Sequence, residues 1–136
     1  MVKPGDYADA LRAVGRFLDS VGASRIEIVQ RADHWLVGWG QESATRVQVL
    51  TLEALRTTAR LFRDLEGSAS LFRNAQILRT LGQLLDAGRA TNFAILEVGG
   101  GYQVTVTIEG EQSVRTYPLD EIRMLAEGRQ ALRHAE

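Results

Sequence analysis

His34 and His134 are the two imidazoles in a chain of 136 residues, and cysteine is absent. The chain therefore has no disulfide framework, thiolate nucleophile or zinc–thiolate cluster, and two isolated histidines supply few of the usual transition-metal ligands. A catalytic histidine needs a nucleophile beside it and a carboxylate to orient it. The local spacing around His34 offers no such constellation, so it reads as a turn residue at the start of a strand. Asp120 and Glu121 are adjacent carboxylates; neighbouring helical positions project in different directions, so they favour a helix N-terminus rather than an acid/base pair. The triplet Gly99-Gly100-Gly101 precedes alternating residues from Tyr102 onward. A phosphate cradle needs a helix start after its glycines, so this triplet reads as a hairpin turn. No serine sits in a nucleophile-elbow setting, and no HExxH or EF-hand spacing occurs. The residues carry no catalytic, cofactor-binding or metal-binding assignment, and the expected function is non-enzymatic.

Two further groups have the right chemistry for binding. Arg25, Arg31, His34, Arg46 and Gln48 form a candidate anion patch, for which cross-strand pairing with Glu27 and ordinary solvation are the simpler account. Trp35 and Trp39 are types that stack bases or sugars, but their phase within an alternating run makes them core residues. With 16 Lys+Arg against 17 Asp+Glu, the net charge of −1 exerts no general pull on nucleic acid or anionic membrane. The fifteen arginines to one lysine, together with abundant Ala, Gly, Leu and Val, make a GC-rich bacterial genome the expected source. No run approaches the length of a membrane span and residues 1–6 lack a signal-peptide plan, so a soluble, cytoplasmic protein is the expectation.

The elements that position these residues recur. At an offset of 67, residues 8–65 meet residues 75–132 with 15 identities in 58 ungapped positions, against about four or five expected by chance. The matches include Leu11/Leu78, Gly15/Gly82, Leu18/Leu85, Asp19/Asp86, Ile28/Ile95, Val37/Val104 and Val47/Val114. Most are apolar and recur in phase, as two copies of one fold would require; the shared polar positions are Arg12, Asp19, Glu42 and Arg56 with their partners. Each copy reads αβββα. Tyr7, Ala10, Leu11, Val14, Phe17, Leu18 and Val21 share a helical face between a candidate N-cap, Asp6, and a C-terminal Gly22. Strands follow near 25–31, 35–40 and 46–50, then a helix capped by Thr51 and ending at Gly67. The second copy has a helix capped by Ser70, strands near 92–98, 102–109 and 113–117, and a helix after Pro118. There Leu61 and Phe62 become Gly128 and Arg129, so burial is expected over only the first two turns of the last helix, with Arg129, Arg133 and His134 solvated.

A linker of about Glu66 to Ser70 is too short to separate two independent domains. The expectation is one α+β domain, 1–136, made of repeats 5–67 and 68–136 about a pseudo-two-fold axis. A single six-stranded antiparallel sheet with four helices on one face is expected, two stacked sheets being the alternative. Alternation assigns Ile26, Ile28, Trp35, Val37, Trp39, Val47 and Val49, with Phe93, Ile95, Tyr102, Val104, Val106 and Val114, to the helix side. The opposite face then carries the candidate interaction surface: Arg25, Arg31, His34, Leu36, Arg46, Gln48, Leu96, Val98, Arg115 and Tyr117. That face is more apolar than open solvent warrants. A homodimer or another protein partner would cover it, which makes an interaction or assembly module the favoured function.

The order αβββα in about 67 residues is similar to the double-stranded-RNA-binding domain, which often occurs as tandem copies. That resemblance implies a duplex-binding alternative. The family grips phosphates with a lysine-rich start to its second helix, whereas Leu52-Glu53-Ala54-Leu55-Arg56 and Leu119-Asp120-Glu121-Ile122-Arg123 stand here. Their acidic residues repel a phosphate backbone, so nucleic acid is not the expected partner. A third reading, a small-molecule effector domain, needs a pocket between sheet and helices.

Overall fold

The first amphipathic run folds as α1 (Tyr7–Ser20), with Tyr7, Ala10, Leu11, Val14 and Leu18 on its buried face. Gly22 supplies the left-handed residue that ends it (φ 65°), and the Ala23 N–H closes back on the Leu18 carbonyl at 3.0 Å. Strands β1 (Ser24–Gln30), β2 (His34–Gln41) and β3 (Ala44–Thr51) follow as a meander, then α2 (Leu52–Arg63). Thr51 caps α2: its Oγ1 accepts the Ala54 N–H at 3.1 Å. The order repeats as α3 (Asn74–Ala87), β4 (Asn92–Val98), β5 (Gly101–Ile108), β6 (Glu111–Pro118) and α4 (Leu119–Ala135). This computed structural model describes residues 7–63 and 74–135, and side chains over 7–57 and 74–128. The expected linker and the caps Asp6 and Ser70 lie outside these residues, and the side chains of Arg129, Arg133 and His134, expected to be solvated, lie outside those described. In α4, Ile122 is buried and Leu125 and Ala126 are half-buried.

The six strands form a single antiparallel sheet in the order β3-β2-β1-β4-β5-β6; stacked sheets are not formed. The join is β1 against β4, with Ile28 opposite Ile95, Glu27 opposite Leu96 and Val29 opposite Ala94. Ile28 and Ile95 are 67 positions apart, and the two flanking pairs interchange under the same offset.

Above this join α1 and α3 pack together, and each end of the pair is fastened by the other helix. Asp86, near the end of α3, accepts the N–H groups of Tyr7 and Ala8 at 2.9 and 3.1 Å. Asp19, near the end of α1, accepts those of Asn74 and Ala75 at 3.1 and 3.2 Å. The helices are therefore antiparallel, and the positive end of each macrodipole meets a carboxylate. Close approach depends on glycine: a Cβ on Gly15 would stand 2.5 Å from Ala75 Cα, and one on Gly82 2.6 Å from Ala8 Cα.

Beneath the helix pair lies one apolar core of Ile26, Ile28, Trp35, Val37, Phe93 and Ile95, joined by Leu55 of α2 and Ile122 of α4. Both tryptophans are core residues, as their phase requires. The phase expected for β3 and β6 is corrected by the register. Two-residue turns at Glu42-Ser43 and Glu109-Gly110 place Trp35 opposite Leu50, Val37 opposite Gln48 and Trp39 opposite Arg46. Likewise Tyr102 faces Tyr117, Val104 faces Arg115 and Val106 faces Ser113. Directly opposed residues share a face. Val47, Val49 and Val114 therefore lie on the side away from the helices and are 68%, 56% and 55% exposed. Arg46, Gln48, Leu50, Arg115 and Tyr117 belong to the helix side.

Candidate functional site

The register builds two rows of side chains across the side of the sheet that faces away from α1 and α3. Val49, Leu36, Val29, Ala94, Thr105 and Val114 are successive neighbours over all six strands. The adjacent row is Val47, Gly38, Glu27, Leu96, Gln103 and Thr116. None of these residues is buried. The first row is apolar from edge strand to edge strand except at Thr105, and the second mixes Val47 and Leu96 with Glu27, Gln103 and Thr116, Glu27 being the one charged member of the two rows.

The ten residues expected to form a single surface are divided between two faces. Leu36 and Leu96 lie in the rows above; His34 and Val98 share their phase at the ends of β2 and β4. Arg25 occupies the irregularity in β1 with φ 52°, and its guanidinium packs over Gly40. Arg31 is exposed in the β1–β2 turn, where its N–H donates to the His34 carbonyl at 2.8 Å. Arg46, Gln48, Arg115 and Tyr117 are on the helix side, so the anion patch does not assemble as one cluster. Glu27 is opposite Gly38 and Leu96 rather than opposite an arginine. The open-face residues that alternation missed are Val47, Val49 and Val114. Their signal was the two-residue turn, which sets register without regard to which side chains are apolar.

His34 does have a carboxylate neighbour, contrary to the expectation from spacing. Asp33 Oδ1 lies 2.6 Å from His34 Nδ1. That hydrogen bond, reinforced by the imidazole charge, holds the Asp33 carboxyl below its usual range. The pair sits on the β1–β2 turn with Asp33 87% exposed, where water screens the interaction.

A buried polar network lies inside the core. Gln30, at 2% exposure, donates through Nε2 to Tyr7 Oη at 2.9 Å and to the Thr91 carbonyl at 3.1 Å. Its Oε1 accepts the Trp35 Nε1–H at 3.1 Å. In the other half, Tyr102 Oη donates to Asn74 Oδ1 at 3.3 Å, and Glu97 Oε1 accepts the Ile26 N–H at 3.1 Å. Desolvation pushes the Tyr7 phenol above its ordinary range. It does the same to Tyr102, where the Glu97 and Asp19 carboxylates add to the effect. These groups satisfy one another, which is a structural role. Among the described residues no group of three or more His, Cys, Asp or Glu could hold a metal ion, and no helix is long and apolar enough to cross a membrane. No protein-family model matches the chain, and neither a curated protein nor a solved structure matches it.

Proposed function

We propose that this protein is a non-catalytic assembly module whose working surface is the open face of the sheet, covered in solution by a second copy of the chain. The observation that carries the reading is the row from Val49 through Leu36, Val29 and Ala94 to Val114, which spans six strands without a buried member. Size supports a second copy. Six strands about 4.8 Å apart and about 23 Å long present about 700 Å². That is close to the roughly 800 Å² per partner of a standard stable interface. Stacked sheets pack side chain to side chain about 10 Å apart, a contact that the valines, leucine and alanine of this row suit, while Glu27, Gln103 and Thr116 of the adjacent row would keep water or find partners at the seam. An isologous dimer sets the same patch against itself, so the apolar rows would meet one another.

We also read the two halves as copies of one αβββα unit within one domain. The reciprocal Asp19 and Asp86 bonds, the Gly15 and Gly82 contacts and the Ile28–Ile95 pairing support this, because each is related to its counterpart by the same 67-residue offset.

Light scattering on the purified chain tests the assembly reading. The expected mass is about 30 kDa, twice the 15.0 kDa of one chain, falling to one chain in Leu96→Lys with the circular dichroism spectrum unchanged. Leu96 points away from the core, so the substitution leaves folding intact. A wild-type chain that stays at 15.0 kDa at about 100 μM would overturn the reading, since an interface of this size holds at that concentration.

A further inference from the structure

The helix-covered side of the sheet is filled differently at its two ends. At one end Phe17 meets Trp39 edge to face, with ring centroids 5.3 Å apart. The residues 67 positions later are Leu84 and Val106, which together carry about ten fewer non-hydrogen atoms. At that end the structure contains a cavity of about 150 Å³, walled by Leu84, Val104, Val106, Ile108, Arg115 and Tyr117. An aliphatic cavity of about this volume accommodates a benzene ring.

One wall is cationic. Arg115 stands where the first half has Gln48. Its guanidinium lies 4.5 Å from the Tyr117 ring centroid, and Nη2 donates to Glu121 Oε1 at 2.5 Å. The guanidinium fork has five N–H donors, and among the described residues Glu121 is the acceptor recorded for it. The ion pair is 63% and 37% exposed on its two sides, so it rearranges at little expense. The cavity itself is partly open, with Ile108 at its rim.

We propose that this cavity is a binding site for a small monocarboxylate carrying a single ring. The ring occupies the space that Phe17 and Trp39 fill at the opposite end, and the carboxylate takes the Arg115 fork alongside or in place of Glu121. Size and charge both enter the assignment. The volume is about that of a single ring, and an apolar body next to a guanidinium selects an anion over a neutral molecule. The site lies on the other side of the sheet from the proposed dimer face, so each stands or falls by its own experiment. A ligand of about ten non-hydrogen atoms binds such a pocket with micromolar to millimolar affinity.

Phenylacetate is the probe, titrated into the full chain and followed by the methyl resonances of Leu84, Val106 and Ile108, with phenylacetamide and acetate as controls. Saturable shifts at these methyls are expected with phenylacetate and much weaker ones with either control. Arg115→Gln, which installs the residue found at position 48, should weaken binding about tenfold. Glu121→Gln, by removing a competing carboxylate, should tighten it. Val106→Trp should abolish it by filling the space, and Leu84→Phe makes the same test with a smaller insertion. The proposal is overturned if phenylacetate gives no saturable shift at these methyls up to about 10 mM. It is equally overturned if phenylacetamide binds as well as phenylacetate and Arg115→Gln changes nothing.

Discussion

A Cβ on Gly15 would meet the Cα of Ala75 at 2.5 Å, the Asn74 carbonyl oxygen at 2.6 Å and the Ala75 nitrogen at 2.7 Å, all of them backbone atoms. Ordinary contact lies near 3.5–4.0 Å, so Gly15→Ala must displace the start of α3 by about 1 Å. That movement stretches the two Asp19 bonds to Asn74 and Ala75, now 3.1 and 3.2 Å, past useful length. Overpacking costs about 1–3 kcal/mol, and weakening the two bonds adds about 1 kcal/mol. Against this, alanine is favoured over glycine in a helix by about 1 kcal/mol. The net expectation is a destabilisation of about 2 kcal/mol, and Gly82→Ala should match it, because its Cβ would meet Ala8 Cα at 2.6 Å. Gly128 in α4 is the control. It is exposed and has nothing within 4 Å, so Gly128→Ala should stabilise by up to about 1 kcal/mol. Urea unfolding followed by circular dichroism reads all three. The double substitution Gly15→Ala/Gly82→Ala should cost less than the sum, since both separate the same helix pair. If Gly15→Ala stabilises the chain as Gly128→Ala does, the close helix contact is not what holds the halves together.

Other consequences are open to direct measurement. Asp19→Ala and Asp86→Ala each remove an acceptor from two helix N–H groups and should cost about 1–2 kcal/mol in urea unfolding; effects below about 0.5 kcal/mol in both would show that water replaces them. Gln30→Leu strips the Trp35 indole N–H of its acceptor inside the core and should cost about 2–3 kcal/mol, seen as a lower urea midpoint in tryptophan fluorescence. Tyr7 and Tyr102 both have raised phenol values. The folded state therefore favours their neutral form; their contribution is intact below the ordinary tyrosine range near 10 and is lost as pH rises through the folded values. Absorbance at 295 nm should show these two tyrosines ionising only together with alkaline unfolding, and their ionisation in a chain that keeps its native circular dichroism would contradict their burial.

The parts of the fold that follow local rules were legible. Period-two alternation identified the helix side of β1, β2, β4 and β5, because Ile26, Ile28, Trp35, Val37, Phe93 and Ile95 are both apolar and inward. It failed on β3 and β6, where the valines point out. Those are the edge strands, whose register is imposed by the turns and whose open-face side chains escape the core's demand for a fixed pattern. The N–H groups at the start of α1 and α3 as described are met from across the molecule by Asp86 and Asp19, partners that a search of the neighbouring sequence does not reach. A trace of them was present, since both aspartates and both close-packed glycines recur at the 67-residue offset. Gln30 also left a signal: it stands in phase with Ile26 and Ile28, and a polar residue on a buried face must find partners. The Asp33–His34 bond left none in a search for separated catalytic spacings, because the partners are adjacent.

Where the two halves agree and where they differ follows from what each residue touches. Ala8/Ala75, Gly15/Gly82, Asp19/Asp86 and Ile28/Ile95 are identical pairs, and each lies at the join, where one half is packed against the other. In the proposed duplication, a change there must suit a contact that occurs at both ends of the same helix pair. Toward the sheet ends each half packs on itself, so Phe17 and Trp39 can diverge to Leu84 and Val106 without disturbing the join. The open face diverges in the same way: Val49 and Leu36 correspond to Thr116 and Gln103, which makes one half of that face more apolar than the other. A second copy covering all six strands would therefore draw more of its apolar contact from the Val29–Leu36–Val49 side. Leu36→Lys should then disrupt the dimer more than Gln103→Lys, a difference that light scattering across a dilution series would measure; equal effects would show that the two halves of the face contribute alike.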